Sequence, residues 1–243
     1  MKTTAIIQAR MGSTRLPGKV LLDLGGETVL ARVVRRLGRA KRLDEVLVAT
    51  TTASADDAIV RECSRLGVSH FRGSELDVLD RHYSAASRAG AGVIVRITSD
   101  CPLIDPALVD QTIQLFLERQ ADYASNVLPR TYPRGLDVEV FTATALERAW
   151  REAEAPHQRE HVTPYFYEHP ELFRLASLNG DRDLSHRRWT VDTVEDLDLI
   201  RTIYYNFENR DEFDWHDVIA LMQREPELGR LNAHVTQKAA RAS

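Results

Sequence analysis

Ala5-Ile6-Ile7-Gln8-Ala9-Arg10-Met11-Gly12-Ser13-Thr14-Arg15-Leu16-Pro17-Gly18-Lys19 decides how the rest of the chain is read. Its first three residues are an apolar run that predicts a buried strand. Residues 29–37, Val-Leu-Ala-Arg-Val-Val-Arg-Arg-Leu, predict a helix after it. Between them lies a glycine-bearing loop with Arg10, Arg15 and Lys19 at the carboxyl end of a strand. Small residues let backbone N–H groups approach an anion, and the three cations neutralise its charge, so the loop reads as a polyphosphate site. It is not a P-loop: five residues separate Gly12 from Gly18, and Val20 stands where a magnesium-binding hydroxyl belongs. It also lacks the dinucleotide Gly-x-Gly-x-x-Gly pattern. The plain alternative is a surface loop with solvated cations.

Outward from this loop, strand-like and helix-like segments alternate. Residues 45–50, 68–71, 93–97 and 122–125 predict strands; residues 56–66, 77–89 and 106–119 predict amphipathic helices. Nearly continuous apolar strands between amphipathic helices imply a parallel sheet covered on both faces, with ligands at the carboxyl ends of its strands. After Asn126 the pattern changes. Residues 128–136 carry prolines and a glycine and predict a loop, and residues 136–141 alternate apolar and polar like a half-buried strand. Residues 142–153 predict a helix, 173–178 and 189–191 strands, and 193–206 a helix. The expectation is one α/β domain over residues 1–237, with residues 128–186 as a substrate or dimerisation lobe and residues 238–243 as a frayed tail.

Composition narrows the classes. The chain has 243 residues, 43% hydrophobic and 28% charged, with a formal net charge of -4. That is ordinary for a globular protein and argues against a dedicated nucleic-acid binder, which is normally basic. Two cysteines give neither a disulfide framework nor metal-type spacing. No apolar run suits a signal peptide or a membrane span, so the expected compartment is the cytoplasm, without a membrane partner.

Several residues beyond the first loop suit chemistry. Asp100, in Thr98-Ser99-Asp100-Cys101-Pro102, follows strand 93–97 at the ligand end of the sheet. Opposite a cationic loop it suits Mg²⁺ held between protein and phosphate, although Asp also starts turns. Asp192 follows Trp189-Thr190-Val191 and precedes a helix. It reads equally as an N-cap, with Thr193 and Asp196 resembling a capping box, and as a second metal ligand. Arg134, Asp137 and Glu139 cluster at a loop-to-strand junction where an arginine suits a carboxylate substrate. Arg159 and His161 lie in a second polar cluster with His157 and Glu160; Pro156 and Pro164 disturb any regular zinc-type helix there, so a substrate or lid role is expected. Ser74 and Asp77 read as helix-capping residues and, together with Arg72 and Gly73, as nucleotide contacts at a strand end.

Together these stretches resemble the cytidylyltransferases that activate acidic sugars, in particular the branch of spore coat polysaccharide biosynthesis protein F. The likeness runs from Ala5 to about Tyr205. It rests on residues 7–19, on Phe71-Arg72-Gly73-Ser74, on Ser99-Asp100-Cys101-Pro102 and on residues 132–139. It continues through residues 159–164 and Trp189-Thr190-Val191-Asp192-Thr193. The resemblance implies a Rossmann-like nucleotidyltransferase fold, CTP and a small acidic sugar as partners, and usually a homodimer, for which Tyr165-Phe166-Tyr167 offers an apolar patch. Catalysis is expected from Arg15, Lys19, Asp100 and Asp192, with Asp100 and Asp192 holding Mg²⁺. Gln8, Ala9, Arg10, Met11, Gly12, Ser13, Thr98 and residues 72–77 fall among the nucleotide contacts. Where the enzymes for 3-deoxy-manno-octulosonate carry Gly-Asp-Glu-Pro, this chain has Ser99-Asp100-Cys101-Pro102, so the likeness names no individual sugar. The rival readings are another nucleotide-sugar enzyme, using a different nucleotide or transferring the sugar itself, and a nucleotide-binding module without turnover. Asp100 lacks the second Asp of the glycosyltransferase Asp-x-Asp motif.

Overall fold

The computed structural model describes residues 1–237; the expected frayed tail, 238–243, lies outside them. Seven strands form one sheet: β1 (Thr3–Gln8), β2 (Glu45–Thr51), β3 (Ser69–Gly73), β4 (Val93–Thr98), β5 (Tyr123–Ser125), β6 (Glu139–Thr142) and β7 (Leu175–Ser177). Their spatial order is β3-β2-β1-β4-β6-β5-β7. Only β6 runs against its neighbours, β4 and β5. The expected mostly parallel α/β sheet is therefore what the chain forms.

The order reverses at β1. The chain steps outward through β2 and β3, then returns to place β4 on the other side of β1. Gln8 and Thr98, the last residues of β1 and β4, are register partners at this switch point. Adjacent connections leave the sheet in opposite directions there, which opens a crevice at the strand ends.

Helices α1 (Val29–Leu37), α2 (Asp57–Leu66) and α4 (Pro106–Glu118) cover one face, burying Leu30, Val33, Ile59 and Ile113 against Ile7, Val48 and Val95. Helices α3 (Val78–Ala89), α5 (Ala143–Glu152), α6 (Pro156–His161) and α7 (Pro164–Glu168) follow in the chain. On the other face Leu79, Leu146 and Phe166, from α3, α5 and α7, pack on Ile6, Ile94 and Phe141. A third cluster joins Leu24 and Trp189 to α8 (Val194–Asn206) and α9 (Trp215–Arg224).

Three expectations change. Residues 128–186 do not stand apart as a lobe: they supply β6 and β7 to the central sheet and Phe166 to its core. Residues 189–191 form a strap rather than a strand. Trp189 N donates to Arg134 O at 2.7 Å and Val191 N to Asp100 O at 2.8 Å, so their hydrogen bonds go to two different loops and not to a ladder. Strand β6 starts at Glu139, because Asn126 and Val138 bond through the Asn126 side chain just before it. Helix α9 was not foreseen from the sequence. Among the described residues no helix is long and apolar enough to cross a membrane.

Candidate functional site

The cationic loop leaves β1 at the switch point and is shaped from below by Asp56. One Asp56 oxygen accepts Met11 N at 2.8 Å; the other accepts Thr51 N and Thr50 Oγ1, each at 3.0 Å. Burial alone would raise this carboxyl, but the hydrogen bonds from Thr51, Met11 and Thr50 outweigh it and hold it below the usual range. The loop closes on itself where Gly18 N donates to Met11 O at 3.1 Å. Gly18 is left-handed (φ 69°), a conformation glycine adopts without the Cβ clash, and it starts the 3-10 turn Lys19–Leu21. That turn directs the Lys19 side chain back toward the strand ends.

There Lys19 meets both aspartates. Its Nζ lies 2.7 Å from Asp100 Oδ2 and 2.7 Å from Asp192 Oδ1. Thr98 Oγ1 donates to Asp100 Oδ1 at 2.6 Å. Arg15 reaches Asp192 Oδ2 at 2.9 Å, and Arg188 reaches the same oxygen at 2.7 Å. Burial works against both charges of the Lys19–Asp192 pair. The two carboxylates nevertheless raise Lys19, while Lys19, Arg188 and Arg15 pull Asp192 down to about 2.

Asp192 is not the helix cap. Thr193 caps α8, its side chain accepting Asp196 N, and Asp196 completes the capping box. The Asp192 carboxylate is thereby left to the cations. The strap that carries it packs against Gly135, whose backbone (φ 106°) leaves no space for a side chain: a Cβ there would lie 2.5 Å from Trp189 O.

A cavity of about 470 Å³ opens above this group. Of the residues singled out from sequence, Gln8, Ala9, Arg10, Gly12, Ser13, Arg15, Lys19, Thr98, Asp100, His161 and Asp192 line it. Four cations, Arg10, Arg15, Lys19 and Arg81, and three carboxylates, Asp100, Glu160 and Asp192, line the cavity. Such a site concentrates a polyanion. Arg81 is fully buried, and burial and then the charge of Arg10 push it down to about 10. Burial, followed by the charges of Arg96 and His157, lowers His161 against the opposing Glu160. Burial raises the Cys101 thiol well above its usual range, which leaves no nucleophilic thiolate beside Asp100.

The remaining candidates lie outside the cavity wall. Met11 packs into the core below the loop. Arg72 donates to Thr51 O at 2.8 Å and Ala53 O at 2.9 Å and pairs with Asp57, so it braces the β2 end. Gly73 closes β3, and Ser74 Oγ accepts Asp77 N at 3.0 Å. Asp77 caps α3 and binds Arg159 Nε at 2.9 Å. Arg134 anchors the strap through its backbone. Asp137 pairs with Arg130, and Glu139 with Arg96 and, at 2.7 Å, with the Tyr123 hydroxyl.

A sequence profile of the cytidylyltransferases matches residues 4–222. The chain belongs to the cytidylyltransferase family. It is 36% identical to spore coat polysaccharide biosynthesis protein SpsF of Bacillus subtilis over 229 residues, 91% of this chain and 94% of that one. It is 40% identical to 3-deoxy-manno-octulosonate cytidylyltransferase of Geobacter sulfurreducens over 123 residues, 50% of this chain and 48% of the relative. A solved cytidylyltransferase from Leptospira borgpetersenii superposes with a TM-score of 0.91 at 37% identity, covering 98% of this chain and all of that one.

Several residues of this cytidylyltransferase site escaped the sequence reading. Thr14, Val20, Val78, Arg81 and Ser99 line the cavity, and Asp56 and Arg188 support it. Arg81 sits one turn inside an amphipathic helix, where nothing local marks it. Arg188 precedes the strap motif directly, and its neighbourhood was the one available signal.

Proposed function

We propose that this cytidylyltransferase transfers a cytidylyl group from CTP to an acidic sugar, releasing pyrophosphate, in the synthesis of a surface polysaccharide or glycan. The observation that carries the reading is the meeting of Arg15, Lys19, Asp100 and Asp192 at the sheet's switch point, 2.7–2.9 Å apart. The names of the relatives support the sugar class: one acts in spore coat polysaccharide synthesis, the other on 3-deoxy-manno-octulosonate.

The residues fit Mg²⁺. Asp100 and Asp192 turn one oxygen each toward a single point, now filled by the Lys19 ammonium. Among the described residues no third His, Cys, Asp or Glu joins them, and two carboxylates suffice for an ion that keeps waters and phosphate oxygens as its other ligands. Bound there, Mg²⁺ would neutralise charge on the triphosphate. Arg15 and Lys19 would hold the β- and γ-phosphates and stabilise the departing pyrophosphate. The backbone of residues 9–13 would receive the nucleotide, and Glu160 and His161 would face the sugar.

A sugar hydroxyl would attack the α-phosphorus in line. The new sugar–oxygen–phosphorus bond forms as the α–β anhydride breaks, and the hydroxyl proton leaves to solvent. Fixed charges and alignment supply the rate, and no group needs a raised pKa. Assembly as a homodimer and a cytoplasmic location complete the reading.

Pyrophosphate release with CTP and a panel of acidic sugars tests it. Release with CTP and one acidic sugar, and CTP–Mg²⁺ protecting the fold from heat more than ATP, GTP or UTP, is the expected result. Equal protection by all four nucleotides would overturn the cytosine preference, and release only with neutral sugars would overturn the sugar class.

A further inference from the structure

Asp192 has three cationic partners, and they are not equivalent. Lys19 holds Oδ1, while Arg15 and Arg188 share Oδ2. Arg15 and Lys19 both border the cavity. A triphosphate entering the cavity offers them a denser negative charge than a single carboxylate. Arg188 does not line the cavity; its side chain is 8% exposed.

Arg188 has a second anchor away from the cavity, whereas the second anchor of Lys19, Asp100, lines it. Its Nε lies 2.8 Å from Asp196 Oδ1, and its Nη2 lies 2.9 Å from Asp196 Oδ2 and 2.7 Å from Asp192 Oδ2. Asp196 is fully buried and is itself pinned by Asn232 Nδ2 at 2.8 Å and by Asp192 N at 3.0 Å. A guanidinium fixed in its fork on one carboxylate presents its remaining N–H in a set direction.

We propose that Arg188 is the positioning residue of the nucleotide-loaded enzyme: it keeps Asp192 Oδ2 tied to the α8 wall so that Oδ1 alone faces the cavity when Lys19 moves to the phosphates. Asp192 thus has one oxygen that holds the fold and one that is exchanged from ammonium to metal. This inference rests on the proposed reading of Asp100 and Asp192 as the metal pair.

The test compares the CTP dissociation constant in EDTA with that in saturating Mn²⁺, by calorimetry, for the wild type and Arg188→Lys, with Arg188→Gln as a second variant. Lysine keeps the charge and glutamine keeps a donor, but neither forks onto both carboxylates. In the variants the strengthening of CTP binding by Mn²⁺ should fall about tenfold, while the constant in EDTA stays within about twofold. An equal loss in both conditions, or no loss in either, overturns the proposal. So does failure of both variants to fold, which would confine Arg188 to structure. If Mn²⁺ does not strengthen CTP binding even in the wild type, the metal reading itself falls, and this inference with it.

Discussion

Lys19 and Asp192 are 173 positions apart in the chain, and their Nζ and Oδ1 atoms stand 2.7 Å apart. The contact ties the loop after the first strand to the strap before α8, and it closes only when the switch point between β1 and β4 has formed.

Asp192→Asn should keep the fold and lose most pyrophosphate release, because an amide is a poor partner for a hard cation. Thr193→Ala should do the opposite: about 1 kcal/mol of stability lost with the cap, and near-normal turnover. Denaturant unfolding beside a pyrophosphate assay separates the two. Full activity in Asp192→Asn would remove that residue from the site.

Lys19→Ala and Arg15→Ala should each weaken CTP binding by about 1.5–3 kcal/mol, the value of a charged hydrogen bond. Arg15 lies in the loop and Lys19 opens a single 3-10 turn, so the fold should survive. Calorimetric titration checks this, and unchanged affinity in both would return the cations to surface charge.

Acid should dissolve the Asp192 contribution. Its carboxyl is held at about 2, below the ordinary 3.8. The stabilisation, about 2 kcal/mol, is complete above the unfolded value and disappears as pH falls from about 4 to about 2. The stability gap between wild type and Asp192→Asn, followed through this range, should narrow; a gap constant down to pH 2 contradicts the assignment.

Asp56→Ala should cost about 3 kcal/mol and weaken CTP binding as well, since it strands Met11 N, Thr51 N and Thr50 Oγ1 under the phosphate loop. A variant that loses stability but binds CTP normally would show that the loop holds its shape without this anchor.

The aromatic run divides between core and surface. Phe166 is fully buried, 5.1 Å from the Phe141 ring and 5.2 Å from Phe173, whereas Tyr167 is 38% exposed. Phe166→Ala should therefore destabilise by about 3–5 kcal/mol. Tyr167→Ala should leave stability nearly unchanged, and light scattering on that variant and on the wild type tests its place in a homodimer.

The sequence by itself determined the parallel-sheet class, since the runs at 45–50 and 93–97 are nearly all apolar and the segments between them are amphipathic at helical spacing. It also supplied the loop of Arg10, Arg15 and Lys19, because charge and glycine content are local properties. Residues 189–191 show where this stops: an apolar triplet becomes a strand or a strap according to which partners meet its N–H groups, and those partners, Arg134 and Asp100, lie far away in the chain. The two roles of Asp192 could not be separated locally, because a cap and a metal ligand require the same residue after a strand and before a helix. Tertiary structure removed the cap role by giving it to Thr193, and it brought Lys19, Arg15 and Arg188 to the carboxylate. Contacts between distant segments are set by distance in space, which sequence spacing does not record, and so Arg81, Asp56 and Arg188 came to light only in the folded chain.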